Sequence, residues 1–216
     1  MIMAGEVYVD DAPVAKPSQQ VAEDAVIRLR EKLPFVGRGG VKLAHALAEF
    51  KIDATALVAA DIGASTGGFT DCLLQHGAKK VYAVDVGYGQ IDYKLRTDPR
   101  VIVIDRTNAR YPLPIAEQID IATIDVSFIS LEKIVPNIAT LTKPGGRIIC
   151  LVKPQFEAGK DLVEKGGLVK DPAVHAQVLG RFITWAIDRG YRITGLTSSP
   201  IYGTSGNREF FVLLRV

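Results

Sequence analysis

The sequence predicts an α/β fold, a doubly wound and mostly parallel sheet of seven strands ending in a C-terminal antiparallel hairpin. Three observations carry this. Apolar runs alternate with helix-periodic segments along most of the chain. Runs such as VYAVDV and IICLV are apolar almost without interruption, as a strand covered on both faces requires. The last two runs, YRITGLTSS and EFFVLLRV, have only PIYGTSGNR between them, which makes a hairpin with one strand antiparallel to the rest.

Taken in order, strands are expected over residues 57–62, 80–86, 101–105, 119–125, 147–152, 191–198 and 209–216. Helical patterns lie between them, over 68–76, a short 90–96, 131–142 and 172–189. Ahead of the sheet, 41–50 (VKLAHALAEF) places Leu43, Ala46, Leu47 and Phe50 on one face of an amphipathic helix. Residues 33–40 (LPFVGRGG) read as a linker into it. Residues 1–33 differ: short β-like pieces at 7–9 and 25–29 are separated by Asp10-Asp11 and the turn-rich 16–18, which describes a small appendage. Seven strands with a hairpin ending resemble the class I methyltransferase fold, of Rossmann-like type, rather than a six-strand dehydrogenase.

Composition narrows the class without naming it. A formal charge of +2 is too mild to announce a nucleic-acid protein, although a basic face fits inside a balanced total. No run of eighteen apolar residues exists and the N-terminus lacks the layout of a secretory signal, so a cytoplasmic location without a membrane partner is expected. Cys72 and Cys150 stand in apolar surroundings at no metal-ligand spacing, and His45, His76 and His175 are far apart, so no metal site is expected.

The most informative stretch is DIGASTGGFTD, residues 61–71, at the end of the first sheet strand and opening a helix. Doubly wound sheets bind nucleotides at this position. From Gly63 it has the spacing of a phosphate-binding P-loop, but Phe69 stands where that motif needs its charge-balancing lysine. As a G-x-G-x-x-G fingerprint it fails at Ser65. As D-x-G-x-G-x-G it matches at Asp61, Gly63 and Gly67, again with Ser65 in the middle. Ser65, Thr66, Gly68 and Phe69 complete the candidate loop. Asp85, at the next strand end, is placed to accept both hydroxyls of a ribose, as in NAD and S-adenosylmethionine sites alike. Asp105, ending the third strand, and Arg106 and Asn108 beyond it reach toward an adenine. The loop and these residues leave both nucleoside cofactors open.

The remaining chemistry lies at later strand ends. The fourth strand ends in TIDVSFIS with Asp125 at the site mouth, and the fifth in CLVKPQFE with Lys153 beside it. A partly buried ion pair across neighbouring strands is the plain structural explanation. The functional one is a desolvated lysine acting as general base for a poorly acidic hydroxyl. Hydride transfer would not ask for this pair, and Asp125-Val-Ser-Phe128 lacks the prolines of the [DN]-P-P-[FY] motif used in amine methylation. Glu209 in GNREFF and Lys42 in GRGGVKL complete a possible Lys-Asp-Lys-Glu group.

Through GRGGVKL, DIGASTGGFTD, AVDVGYGQ, DRTNAR, DVSFISL, LVKPQFE, GGLVKDP and GNREFF, the chain resembles the TlyA, or hemolysin A-like, ribosomal RNA methyltransferases, relatives of the FtsJ-type 2'-O-methyltransferases. The resemblance implies S-adenosylmethionine as cofactor, a cytidine ribose 2'-hydroxyl in ribosomal RNA or ribosomal subunits as target, and a catalytic tetrad of Lys42, Asp125, Lys153 and Glu209. It also implies that residues 1–33 are the remainder of an N-terminal S4-like RNA-binding domain, and 34–216 the FtsJ-like domain. A basic surface for RNA is expected from Arg38, Lys42, Arg106, Arg110, Lys160, Lys165 and Lys170, with 159–172 as a lid and Phe128 and Phe156 as base-stacking candidates. Two alternatives stay open: a non-catalytic cofactor- or RNA-binding module of the same fold, and an NAD-dependent oxidoreductase.

Overall fold

The computed structural model describes residues 2, 7–14, 16–29 and 34–216. The chain divides into two compact units, Met1–Pro34 and Phe35–Val216. In the first, β1 (Val7–Val9) pairs antiparallel with β2 (Ala12–Pro13) and β3 (Ile27–Leu29). Asp10 and Asp11 both have positive φ, at 49° and 65°, as a two-residue turn matched to strand twist requires. The Asp10 carboxylate accepts the Val26 N–H at 3.0 Å, so this turn also fixes where β3 begins.

The second unit contains all seven expected sheet strands: β4 (Val58–Ile62), β5 (Lys80–Val84), β6 (Val101–Ile104), β7 (Ile119–Ile124), β8 (Thr142–Val152), β9 (Arg192–Ser198) and β10 (Phe210–Arg215). Their order across the sheet is β6-β5-β4-β7-β8-β10-β9. Pairs from β6 to β8 are parallel, and β10 runs antiparallel to both β8 and β9. The closing hairpin therefore does not simply extend the edge. Its second strand inserts against β8, which brings the C-terminal strand beside the centre of the sheet.

Strand alternation splits the core into two faces. Ile148, Cys150 and Val152 pack with the α4 (Val135–Leu141) and α6 (Pro172–Asp188) side, against Val135, Ile138, Val178 and Phe182. Ile149 and Leu151 pack with the α1 (Arg38–Glu49), α2 (Gly68–Gln75) and α3 (Tyr93–Arg96) side, against Leu43, Leu47, Leu73 and Leu95. Both faces are dry, which is why these strands carry no polar alternation.

Three boundaries depart from expectation for local reasons. The supposed linker 33–40 contains the first turn of α1, because Arg38, Gly39 and Gly40 are helical; Leu33 lies outside the described residues. The expected helix 131–142 is a 3-10 turn at Leu131–Lys133 followed by α4, whose proline stands in the first turn where its missing N–H costs nothing. β8 begins five residues early, since Thr142 already pairs with Ile119 of β7; Pro144-Gly145-Gly146, with Gly145 at φ 77°, then forms an irregularity before pairing resumes at Ile121 and Arg147.

Candidate active site

The loop after β4 is built on left-handed backbone. Gly63, Ser65 and Gly67 have φ of 85°, 50° and 99°. A Cβ at Gly63 would stand 2.3 Å from the Asp125 carbonyl oxygen, so glycine is what lets the loop lie against the end of β7. Ser65 takes the same backbone region with a side chain, where its N–H donates to Asp85 Oδ2 at 2.8 Å. Asp85 accepts the Gly87 N–H on its other oxygen at 2.7 Å, which fixes the carboxylate and leaves lone pairs for ribose hydroxyls.

Asp61 does not share this role. It is fully buried beneath the loop, accepting from Thr70 Oγ1 at 2.7 Å and Thr123 Oγ1 at 3.2 Å. Burial pushes its carboxyl up to about 7, and the charge of Asp125 pushes the same way, against the two hydroxyls. Asp61 joins α2 to β7 and supports the loop from below rather than meeting a ligand.

Two acid–amine pairs stand at the other side of the loop. Lys153, the residue between β8 and α5 (Pro154–Glu157), lies 2.5 Å from Asp125 Oδ1 and donates to Ser127 Oγ at 3.1 Å. Lys42 on α1 donates to Glu209 Oε2 at 2.5 Å, with side chains 11% and 3% exposed. Charges so withdrawn from water hold only because each has its partner. Topology brings the pairs together: Phe210 of β10 pairs with Val152 of β8, so one step on Glu209 comes opposite Lys153. All four line one cavity of about 280 Å³ with Arg38, Gly63, Ser65, Thr66, Gly68, Phe69, Ser127 and Thr204.

A clamp outside this cavity fixes the loops that carry Asp125 and Lys153. Glu157, buried at the end of α5, accepts Ser130 Oγ and the Leu131 N–H, both at 2.8 Å, and Arg181 of α6 reaches its carboxylate at 3.4 Å. Burial raises the Glu157 carboxyl above its ordinary range against those donors. Beyond the clamp, Phe128 is 90% exposed with φ of 63° and sets its ring 4.8 Å from that of Phe156. An aromatic residue held in left-handed backbone and presented to solvent is strain placed at a site.

A second cavity, of about 400 Å³, adjoins the first through Gly63, Ser65, Asp125 and Ser127. Asp85, Gln90, Thr107, Asn108 and the apolar Val84, Val86 and Ile134 line it, giving a nucleoside-sized space with a carboxylate on one wall. Asp125 stands at the junction and lines both cavities, its Oδ1 buried against the Lys153 amine.

Of the residues expected at a cofactor, the structure brings Gly63, Ser65, Thr66, Gly68, Phe69, Asp85, Asn108 and Asp125 to these two cavities. Asp61, Gly67, Asp105 and Arg106 stand off them. Gly67 faces Leu95 of α3, where a Cβ would stand 2.3 Å from Cδ1. Asp105 is turned to Arg96 at 3.5 Å and the Gly89 N–H at 3.2 Å. Arg106 lies over the Tyr88 ring at 4.2 Å. Ser127, Thr204, Gln90 and Thr107 were not expected. Ser127 sits inside the DVSF motif, and its neighbours supplied the only signal. The stretch expected as a lid is pinned in part, because buried Asn207 accepts the Val169 N–H and donates to the Gly167 carbonyl, both at 2.8 Å.

Comparison with known proteins shows the family of the chain. The model of the FtsJ-like methyltransferase family matches residues 35–216. YqxC of Bacillus subtilis, provisionally named an rRNA methyltransferase, is 50% identical over 99% of this chain and 77% of its own length. The 16S/23S rRNA (cytidine-2'-O)-methyltransferase TlyA of Mycobacterium tuberculosis is 42% identical over 100% of this chain and 82% of its own. Among solved structures, a Streptococcus thermophilus protein provisionally named a hemolysin superposes with a TM-score of 0.84 at 44% identity, covering 99% of this chain and 80% of that one. Among the described residues no helix is long and apolar enough to cross a membrane.

Proposed function

The chain belongs to the FtsJ-like methyltransferase family, and from that premise we propose that it transfers the methyl group of S-adenosylmethionine to a ribose 2'-hydroxyl, that of a cytidine, in ribosomal RNA. The observation that carries this reading is the meeting of Lys153–Asp125 and Lys42–Glu209 in one cavity that opens into a nucleoside-sized one. The names of the rRNA-methylating relatives supply the substrate class.

S-adenosylmethionine, when bound, supplies an electrophilic methyl on a sulfonium. Asp85 and Asn108 would hold its nucleoside, and the backbone of Gly63 to Gly68 its amino-acid end, with the Asp125 carboxylate at the junction of the two cavities near its amine. The chain's own work is then proton handling and positioning. Lys153, once it has given up the proton of its ion pair with Asp125 to solvent, takes the hydroxyl proton as a neutral amine, and Asp125 and Ser127 hold the ammonium so re-formed. The Lys42 ammonium, fixed by Glu209, faces the oxygen as it gains charge. With Arg38 the cavity has three cations against two carboxylates, an environment that favours the oxyanion and a nearby phosphate. Phe128 and Phe156 would stack the target base at the rim. Residues 1–33 are read as part of an S4-like RNA-binding domain because the resemblance to the TlyA proteins implies one, and β1 to β3 lie in a compact unit of their own, Met1–Pro34.

The test is transfer of labelled methyl from S-adenosylmethionine to purified ribosomal subunits, mapped as an alkali-resistant dinucleotide, since a methylated 2'-oxygen cannot attack the neighbouring phosphodiester. Lys153→Ala should lower kcat by about 10²- to 10⁴-fold, the range for losing a general base, while S-adenosylmethionine still binds. Near-full transfer by this variant would overturn the assignment of the base.

A further inference from the structure

A third cavity, of about 550 Å³, lies apart from the two described and has no part in the chemistry above. Lys170, His175, Tyr202, Arg208 and Phe210 give it its character. We propose that it is a second nucleotide subsite, which takes a base and phosphate of the single-stranded RNA next to the nucleotide in the reaction cavity. The proposal rests on the reading that RNA is the substrate.

The first argument is position. Entering β10, successive side chains point to opposite sides. Glu209 faces the reaction cavity, and Arg208 and Phe210 face the third cavity. The two spaces are therefore separated by one thickness of the loop that joins β9 to β10. Arg38, on the wall of the reaction cavity, donates to the Tyr202 carbonyl of that loop at 2.7 Å and ties the two sides together.

The second argument is chemistry. Tyr202 is 55% exposed, and Arg208 lies over its ring at 5.8 Å. Arg208 has no carboxylate within ion-pair distance among the described residues, so its charge is available to a phosphate. Lys170 pairs with Glu164 at 3.1 Å, both side chains more than half exposed, a contact that phosphate can replace at small cost. His175 is buried with its Nε2 at 2.8 Å from the Val169 carbonyl and its ring edge-on to Phe210, which leaves an aromatic floor. The cleft is also held in shape, because Asn207, 1% exposed, hydrogen-bonds residues 167 and 169 of the facing wall. Arg208 donates to the Tyr202 hydroxyl at 3.5 Å, and exposed aromatic surface beside a guanidinium that no carboxylate neutralises is what a base with its phosphate requires.

The experiment measures binding of a short fluorescein-labelled oligocytidylate across a salt series, with S-adenosylmethionine affinity as the control for an intact fold. Arg208→Ala should weaken binding about tenfold at low salt and reduce the slope of log K against log salt by about one, and Arg208→Lys should keep the slope. Tyr202→Ala should weaken binding about tenfold with the slope unchanged, since stacking releases no counterion. With purified ribosomal subunits both Ala variants should raise KM and leave kcat in place. Oligonucleotide binding within about twofold of wild type in both variants overturns the subsite. So does a loss confined to whole subunits, which would make the occupant a ribosomal protein. If the wild-type chain transfers no methyl group while these binding losses appear, the subsite stands and the methyltransferase reading falls.

Discussion

At the scale of single residues, Asp61 shows how a motif position and a contact with ligand come apart. It opens the D-x-G-x-G-x-G match, yet its carboxylate points between Thr70 and Thr123 and is wholly buried. A carboxyl there is favoured in its neutral form, with its titration pushed up to about 7 by burial. In the unfolded chain an aspartate titrates near 4, so between these values the folded chain binds the extra proton. The stabilisation is fully present below about pH 4 and is lost as pH rises through about 7, on the order of 4 kcal/mol in all. Asp61→Asn keeps a neutral group of the same shape between the threonines. Urea unfolding at several pH values should therefore show the wild type losing stability against this variant as pH rises from about 4 to about 7. An unchanged difference would show that Asp61 is ionised in the fold. Affinity for S-adenosylmethionine should not change, since the side chain reaches neither cavity.

At the scale of elements, α1 delivers Lys42, and glycines determine how close it comes. A Cβ at Gly68, the first residue of α2, would stand 3.0 Å from the Gly40 nitrogen and 3.2 Å from the Gly39 Cα. The two helices approach backbone to backbone, which carries Lys42 over the start of α2 and into reach of Glu209. Gly68→Val should force them apart, costing about 1–3 kcal/mol as overpacking does, and should lower methyl transfer, because Lys42 moves, and cofactor binding, because Gly68 belongs to the loop that holds the amino-acid end of the cofactor. Denaturant midpoints, kcat and the cofactor Kd check these effects. The same glycines explain what was misread. GRGG has the composition of a linker, and periodicity carries no sign that glycine is there for close helix contact. Strand ends were legible because a doubly wound sheet gathers them at one edge, which is why Asp85, Asp125 and Lys153 could be placed together. Ser127 and Thr204 reach the cavity through loop geometry that no period encodes, whereas Arg38, expected as a basic residue near the site, arrives on the first turn of α1.

At the scale of the whole molecule, the site closes only when the two ends of the catalytic unit meet. Lys42 and Glu209 are separated by 167 positions and joined by one buried contact. Alternating runs announce a hairpin, but not that its last strand inserts between β8 and β9, and that insertion is what sets Glu209 opposite Lys153. The pair invites the view that it locks the fold, yet burying two charges costs nearly what their attraction returns. A double-mutant cycle separates the two roles. Glu209→Leu alone leaves the Lys42 ammonium buried without its partner and should destabilise by about 3–5 kcal/mol. Lys42→Met together with Glu209→Leu replaces the pair with apolar side chains of similar volume and should return stability to within about 1–2 kcal/mol of wild type, or above it. Methyl transfer should be lost in both. A double variant as unstable as the single one would mean that the ion pair is what holds the C-terminal strand in place. A stable but inactive double variant would mean that the pair is kept for the reaction, at some cost to the fold.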